Sequence, residues 1–257
     1  MLLAGWAHEG GLHGSARVWP GLVLGAFDAR KALRGCFLMS ANGVAFPLID
    51  DAVGGLGLDA LIERGPPLIS VIVGKRALVE HARQNLRARG FREITARQQT
   101  LYEATRETFR PAEPLEVTRV TPELLEPLAE ASRDMSIEEA DDDPEGRNPR
   151  LFRDRLLERI ARGRDFARFE DGELVFKANV AALSPVGGHL EGIFVPNALR
   201  RRGLGRRGTS TMTEWVLEVA ARASLLVNDH NTAARSMYES LGYEPVEESL
   251  TLYVVPP

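Results

Sequence analysis

Apolar and polar residues alternate in two ways along the chain, and the first half contains mostly the short-period kind. Alternating or β-branched runs predict strands, which cover 21–27, 35–49, 67–74 and 91–104. The segment 35–49 contains Asn42-Gly43, a pair typical of a hairpin turn. Between the last two strands, "KRALVEHARQNLRARG" has helical spacing and ends at Gly90, which predicts an amphipathic helix.

The second half repeats the alternation of strand and helix patterns more clearly. Helical spacing predicts helices over 121–135, 150–163, from the loop near 203 to about 223, and 231–241. Strand patterns cover a hairpin at 165–183 that turns at Asp171-Gly172, followed by 188–195, 224–228 and 249–255. Thr121 and Pro122 favour a helix start, whereas Pro127 lacks an N–H and predicts a bend or a restart. The whole pattern predicts an α/β protein with a mixed sheet.

A proline-containing segment separates the two halves. "RPAEPLEV", residues 110–117, contains two prolines and little periodicity. We therefore predict two domains, 1–112 and 117–257.

Composition and charge narrow the class of protein. Of the 257 residues, 44% are hydrophobic and 26% charged, which is typical of a soluble globular protein, and the net charge of −4 argues against nucleic acid as a partner. The single cysteine, Cys36, excludes internal disulfides and fits a cytoplasmic location. The five histidines lack metal-ligand spacing, so we expect no metal. "MLLAGWAHEGG" does not resemble a signal peptide, and no apolar run reaches about 18 residues, so we expect no membrane association.

The most informative stretch is "RRRGLGRRG", residues 200–208, with five arginines and three glycines. Glycines let the backbone approach a ligand closely, and the free N–H groups at the start of the following helix attract phosphate. Cations are unfavourable at a helix N-terminus, so this many arginines there indicate an anionic ligand. The loop therefore predicts a pyrophosphate site.

Two classes of ligand could occupy such a site. Gly203-Leu-Gly205-Arg-Arg-Gly208 fits the dinucleotide pattern G-x-G-x-x-G, and Asp229 follows at about the distance of a ribose-binding acid. That pattern requires the strand to run directly into the first glycine, but here the strand ends near Val195. Only about 50 residues follow the loop, too few for a doubly wound domain. A nicotinamide or flavin oxidoreductase therefore stays a minor alternative.

A second pattern fits the loop better. Arg200-x-x-Gly203-x-Gly205 resembles the acyl-CoA loop of the GNAT N-acetyltransferase superfamily, which often reads V-x-P-x-x-R before the glycines. Val195 and Arg200 match that pattern, although Asn197 stands in the place of its proline. The downstream motif N-x-x-A-x-x-x-Y-x-x-x-G-F/Y is similar to 231–243, which reads "NTAARSMYESLGY".

The resemblance extends beyond these two motifs. The stretches "FARFEDGELVFKANVAAL", "MSIEEADDDP" and "LLVNDHNTAARSMYESLGY" resemble bacterial tandem acetyltransferases, and "VIVG…FREITARQQTLY" in the first half does so less specifically. The resemblance implies two GNAT-like domains in tandem: a degenerate one at 1–112, shaping the acceptor groove, and a catalytic one at 117–257.

The resemblance also implies how acetyl-CoA would bind. The cofactor would lie between strands 188–195 and 224–228, with a backbone N–H near Val195 polarising the thioester carbonyl. Arg206 and Arg207 could reach the 3′-phosphate, and Asn231 would contact the pantetheine arm or cap its helix. The implied cofactor-binding residues are Ile193, Val195, Arg200, Arg201, Arg202, Gly203, Leu204, Gly205, Arg206, Asn231, Ala234 and Tyr238.

Three further acidic residues and one tyrosine are candidates for the chemistry. Tyr238 is the candidate general acid for the leaving thiolate; the alternative is a core tyrosine. Glu191 is the first candidate for the base that takes the proton of the amine. Glu138 and Glu139 are the next candidates and possible acceptor-binding residues, or else part of a solvated acidic loop.

These features together predict a cytoplasmic, acetyl-CoA-dependent N-acetyltransferase, which is an acyltransferase that acts on a primary amine by direct attack through a tetrahedral intermediate. The acceptor is a small molecule, a protein lysine or a protein N-terminus, and the protein is a monomer or a homodimer. The alternatives are a non-catalytic acyl-CoA sensor and the NAD or FAD oxidoreductase.

Overall fold

A computed structural model describes residues 22–40, 43–49, 58–59, 62–63, 69–140 and 143–257. Several predictions fall outside these residues: those for the N-terminal segment, for Asn42 of the first hairpin turn, for 67–68 and for part of the acidic loop after Glu139.

Eleven strands and six helices of the described residues carry labels here. The strands are β1 Leu22–Phe27, β2 Leu33–Met39, β3 Val44–Ile49, β4 Val71–Lys75, β5 Arg92–Thr105, β6 Thr118–Arg119, β7 Asp165–Glu170, β8 Glu173–Ser184, β9 Gly187–Phe194, β10 Arg222–Asn228 and β11 Glu244–Val255. The helices are α1 Arg76–Ala88, α2 Leu125–Ala140, α3 Pro144–Arg147, α4 Pro149–Ala161, α5 Leu204–Val219 and α6 Thr232–Ser240.

Packing divides the described chain into two compact units. The "loop unit" contains 103–225 and 235–244, and the "N-terminal unit" contains the described residues of 22–102 together with 226–234 and 245–257. The predicted boundary near 113–116 therefore lies inside the loop unit. The last strand, which we assigned to the second domain, packs with the N-terminal unit.

The N-terminal unit is a sheet covered by an amphipathic helix. Its strand order is β1-β2-β3-β4-β11-β5. Neighbours β1–β2, β2–β3 and β4–β11 are antiparallel, and β3–β4 is parallel. Helix α1 buries Leu78, Val79, Ala82 and Leu86 against this sheet, and Gly90 takes a positive φ of 86° where the helix ends.

The loop unit is also mixed α/β. Its strand order is β6-β7-β8-β9-β10, antiparallel except for the parallel pair β9–β10. The hairpin turn between β7 and β8 has Asp171 at φ 51° and Gly172 at φ 84°, as expected for the predicted Asp-Gly turn. Helices α2 and α4 share an apolar cluster with β7, β8 and β9.

Two helix boundaries differ from the sequence prediction. The helix predicted for 121–135 begins as a 3₁₀ turn at Pro122–Leu124 and continues as α2 to Ala140. Pro127 falls in the first turn of α2, where its missing N–H has no partner to lose. Helix α5 ends at Val219, not near 223, because Ala220 is extended and the N–H of Ala221 donates to Pro185 O at 3.0 Å. These residues turn the chain into β10.

Candidate functional site

The arginine–glycine loop lies between the end of β9 and the start of α5. Arg201 and Gly203 have positive φ values of 62° and 79°, and Gly203 precedes α5 with no side-chain cap. A Cβ on Gly203 would meet nothing within 4 Å. The start of α5 therefore has no capping side chain, and the space beside Gly203 is open, which suits an anion.

The other two glycines of the loop differ in how closely other elements approach them. A Cβ on Gly205 would make an ordinary contact, 3.4 Å from Met237 Sδ of α6. A Cβ on Gly208 would lie 2.5 Å from the Phe176 ring of β8, a distance that real contacts do not allow. The third glycine of the apparent dinucleotide pattern is thus explained by the contact between α5 and β8.

The five arginine side chains of the loop have different surroundings. Arg206 Nε donates to Ser240 Oγ at 3.1 Å, and Arg207 donates to Pro114 O at 2.9 Å. Arg201 and Arg202 are exposed. The side chains of Arg201 and Arg202 are therefore open to solvent and to an incoming anion.

Arg200 connects the end of β9 with α2. Its Nε donates to Val195 O at 3.0 Å, and its terminal nitrogens donate to both Glu138 oxygens at 2.5 and 2.6 Å. The guanidinium also lies 5.6 Å from the ring centroid of Phe194. The hydrogen bonds from Arg200 hold the pKa of Glu138 below its usual value, so the two candidates are an ion pair in this structure.

Strand β9 has a β-bulge at Gly192 and Ile193, just before it ends at Phe194. Its register to β8 runs from Asn179↔Glu191 to Lys177↔Phe194, so two β9 residues, Gly192 and Ile193, oppose one residue of β8. Gly192 has φ 62°, and a Cβ there would lie 2.3 Å from Asn179 Oδ1. Bulges of this kind disturb the hydrogen-bond ladder and occur often beside active sites.

Glu191 stands next to the bulge in a position suited to proton transfer. It is exposed, and its Oε1 accepts a hydrogen bond from Nδ2 of the buried Asn179 at 2.8 Å. The amide fixes one oxygen of the carboxylate while the side chain stays open to solvent. Asn179 and its neighbour Lys177 were not among the residues predicted for the site, although both are isolated polar residues in an otherwise apolar stretch, "LVFKANVAAL".

Tyr238 is buried in the loop unit. Its ring centroid lies 5.9 Å from that of Tyr243, and the Tyr243 hydroxyl is 2.7 Å from Thr213 Oγ1. Burial raises the pKa of Tyr238 above its usual value, and the negative charge of Glu139 acts in the same direction. The phenol therefore stays protonated throughout the neutral range.

Asn231, Ala234 and Asp229 lie in the N-terminal unit, whereas Glu139 lies at the end of α2 in the loop unit. Asn231 Oδ1 accepts a hydrogen bond from the N–H of Ala234 at 3.1 Å, so Asn231 caps α6. Asp229 is bonded to Arg76 at 2.6 Å and to Thr100 at 2.8 Å. Because this acid has structural partners, it gives the dinucleotide alternative little support.

Comparisons with known proteins give a family match for part of the chain. A family model described as "FR47-like protein" matches residues 173–252, which include β8, β9, the arginine–glycine loop and α6. No curated protein matches the sequence.

Solved structures share the fold over nearly the whole chain. A tandem GNAT protein from the clavulanic acid biosynthesis pathway, solved without AcCoA, has a TM-score of 0.57 at 14% identity, covering 99% of this chain and 87% of that one. A GCN5-related N-acetyltransferase from Kribbella flavida has a TM-score of 0.56 at 16% identity, with 98% and 95% covered. A Drosophila protein has a TM-score of 0.67 at 15% identity, with 95% and 77% covered.

The family match therefore covers the stretch from β8 through the arginine–glycine loop to α6, and the solved structures show the α/β fold. In the described part of the chain, no helix is long and apolar enough to cross a membrane. Among the same residues, no group of three or more His, Cys, Asp or Glu side chains could hold a metal ion.

Proposed function

We propose that this protein is an N-acetyltransferase that moves the acetyl group of acetyl-CoA to a primary amine. The observation that carries the proposal is the arrangement along β9. This strand presents an exposed, amide-held carboxylate at Glu191, a bulge at Gly192 and Ile193, and then the loop with the uncapped start of α5. One strand thus combines a candidate base, a distorted hydrogen-bond ladder and a candidate anion site at its end.

The residues of the loop fit the pyrophosphate of coenzyme A. The backbone N–H groups from Arg201 to Gly205 would hold the phosphates, supported by the positive φ values of Arg201 and Gly203. Positive charge would come from the exposed Arg201 and Arg202. Arg206, whose Nε donates to Ser240 Oγ, would add to it. The N–H groups of Ile193 and Val195 would polarise the thioester carbonyl. Acetyl-CoA supplies the acetyl group and the thiol leaving group, and no metal is required.

Glu191 and Tyr238 would manage the protons. Glu191, directly or through a water, takes a proton from the attacking amine as the C–N bond forms. The N–H groups at the bulge stabilise the oxyanion, and the C–S bond then breaks. Tyr238 donates its proton to the departing sulfur and regains one from solvent. Because burial raises its pKa, this last transfer is more uphill than for an exposed tyrosine.

The acidic end of α2 would favour a cationic acceptor. Glu138 is paired with Arg200, and the negative charges of Glu139 and Glu191 would attract an ammonium group. A small amine, a protein lysine and a protein N-terminus all meet this requirement. We further propose a cytoplasmic monomer or homodimer of bacterial tandem type, in which the N-terminal domain is a degenerate copy.

Two measurements on the full chain test the proposal. Acetyl-CoA should raise the melting temperature whereas NAD and NADP should not, and thiol release from acetyl-CoA should depend on an amine from a panel of small amines and lysine peptides. Stabilisation by NAD alone would contradict the proposal in favour of an oxidoreductase. Stabilisation by acetyl-CoA without thiol release for any amine would indicate an acyl-CoA sensor.

A further inference from the structure

Lys177 of β8 is a buried amine, with 2% of its surface exposed. Its Nζ donates to Gly192 O at 3.2 Å and lies 3.6 Å from Met135 Sδ of α2. The same Nζ lies 6.0 Å from the ring centroid of Phe194. The closest strong acceptor of this amine is thus the carbonyl of the bulge.

The carboxylates that face Lys177 are Asp165, Glu139 and Glu191, and their charges favour its ammonium form. Asp165 of β7 is bound by Arg159 of α4 through two hydrogen bonds of 3.1 and 2.7 Å. Glu191 of β9 accepts a hydrogen bond from Asn179, so the hydrogen bond of Lys177 goes to a backbone carbonyl. Burial, followed by the charge of Arg159, lowers the pKa of Lys177 to about 8.

A buried ammonium is unfavourable for folding, and an apolar side chain of similar length would avoid that penalty. The position of Lys177 in β8 therefore indicates a role for its ammonium group. Lys177 and Asn179 point to the same face of β8, because they are two residues apart in a strand. Asn179 holds the carboxylate before the bulge, and Lys177 holds the carbonyl within it.

The hydrogen bond from Lys177 to Gly192 O also fixes the direction of the next N–H group, that of Ile193. The peptide bond between Gly192 and Ile193 is planar and trans, so its C=O and its N–H point in opposite directions. Fixing the carbonyl toward Lys177 therefore turns the Ile193 N–H away from the amine, to the other side of the bulge. The donor direction is set by a side chain that never touches the ligand.

We propose that Lys177 is a positioning residue of the acyl-transfer site, which aims the N–H of Ile193 at the thioester carbonyl by holding Gly192 O. This inference rests on the proposed function, since it needs acetyl-CoA as the ligand. The charged amine is also the stronger donor, so it polarises the peptide and makes the Ile193 N–H a better donor in turn.

Isotope-edited infrared spectroscopy of acetyl-CoA with a ¹³C-labelled carbonyl tests this role without any acceptor. Bound to the unmodified protein, the carbonyl stretch should move below its frequency in solution. In Lys177→Met this shift should fall to about half or less, while the Kd for acetyl-CoA changes less than about threefold. Lys177→Arg, which keeps a donor, should restore part of the shift.

A matched control lies on the same strand. Ser184 is buried in β8 and its Oγ donates to a β9 carbonyl, Gly187 O, at 3.3 Å, at the far end of the hairpin. Ser184→Ala should leave the carbonyl stretch unchanged. A full shift in Lys177→Met, or an equal loss in Ser184→Ala, would overturn the positioning role and leave the proposed function intact. If the unmodified protein does not bind acetyl-CoA, both proposals are wrong.

The unmodified protein offers a second readout that depends on no variant. Because the ammonium form exists below the pKa of about 8, the carbonyl stretch should drift toward its solution value as the pH rises through that range. A shift that stays constant from about pH 6.5 to about pH 9.5 would contradict the proposal, since the thioester carbonyl itself has no titrating group there.

Discussion

The two units handle the junction between a strand and the following helix differently. In the N-terminal unit, β4 ends at Lys75 and α1 begins at Arg76 with no residue between them. In the loop unit, the segment 195–203 intervenes between β9 and α5 and contains the positive-φ residues. At the α1 junction, Arg76 pairs with Asp229 and Glu248 of its own unit at 2.6 and 3.3 Å. Both helices start without a capping side chain, but among the described residues only the second junction adds a segment with positive-φ residues before the helix.

The buried polar residues differ in the same sense. Among the described residues, the buried Asp, Lys and His side chains are Asp165, Lys177 and His189, all in the loop unit. The buried polar residues of the N-terminal unit are Ser40, Asn228, Ser249 and Thr251. Burial of charged side chains is unfavourable, so their concentration in one unit supports that unit as the place of the proposed chemistry.

The strongest way to break this comparison is to remove the proposed base. Glu191→Gln should lower kcat about 10²- to 10⁴-fold with little change in acetyl-CoA affinity, because the amide cannot take the proton of the amine. Thiol release measures the rate and calorimetry the affinity. Glu93→Gln, a carboxylate paired with Arg83 in the N-terminal unit, is the control and should keep full activity. A similar loss in both variants would argue against a catalytic Glu191.

The next largest effect concerns Tyr238. Tyr238→Phe should lower kcat about 10- to 100-fold and leave acetyl-CoA binding nearly intact, because the ring keeps its packing and only the hydroxyl is lost. Since burial raises the phenol pKa, the pH–rate profile of the unmodified protein should have no tyrosine limb below about pH 10. Equal losses of binding and turnover would identify a structural tyrosine.

Variants of Arg200 and Glu138 distinguish a phosphate-binding role of Arg200 from a purely structural one. Arg200→Ala should raise the Kd for acetyl-CoA about tenfold if the guanidinium contributes to the phosphate site. Glu138→Gln frees the same guanidinium from its carboxylate and should change that Kd less than about twofold. If calorimetry gives equal losses for both variants, Arg200 acts through Glu138 on α2 and not on phosphate.

The smallest expected effect lies at the other junction. Asp229→Asn should lower the stability of the protein by about 1 kcal/mol, because it weakens the bonds to Arg76 and Thr100. Turnover at saturating substrate should remain unchanged, in contrast to Glu191→Gln. Denaturant unfolding and thiol release measure the two quantities. A large loss of turnover would show that the N-terminal unit takes part in the chemistry.

Most helices, strands and turns could be predicted from the sequence, because each depends on residues that are close together in the chain. The Asp171-Gly172 turn, the amphipathic α1 with Gly90 and the alternation around the loop all depend on residues close in the chain. The glycines of the loop predicted tight backbone geometry at Gly203, whereas only the structure explains Gly208, whose requirement comes from Phe176 on another element.

The bulge and its supports could not be predicted, since they depend on pairing between strands. One extra residue in β9 shifts the register and brings Lys177 to Gly192 O, and no local pattern encodes that contact. The pairing of β11 with β4 is likewise absent from any local pattern, because the two strands are far apart in sequence. Two isolated polar residues in an apolar strand were the available signal for the site.

The position of β11 also determines when the protein can finish folding. This strand, Glu244–Val255, lies between β4 and β5 in the sheet of the N-terminal unit, although it follows all the strands and helices of the loop unit in the chain. The sheet of the N-terminal unit therefore stays open until β11 has been synthesised. Stopping translation before β11 would leave the edges of β4 and β5 unpaired, a ready template for aggregation.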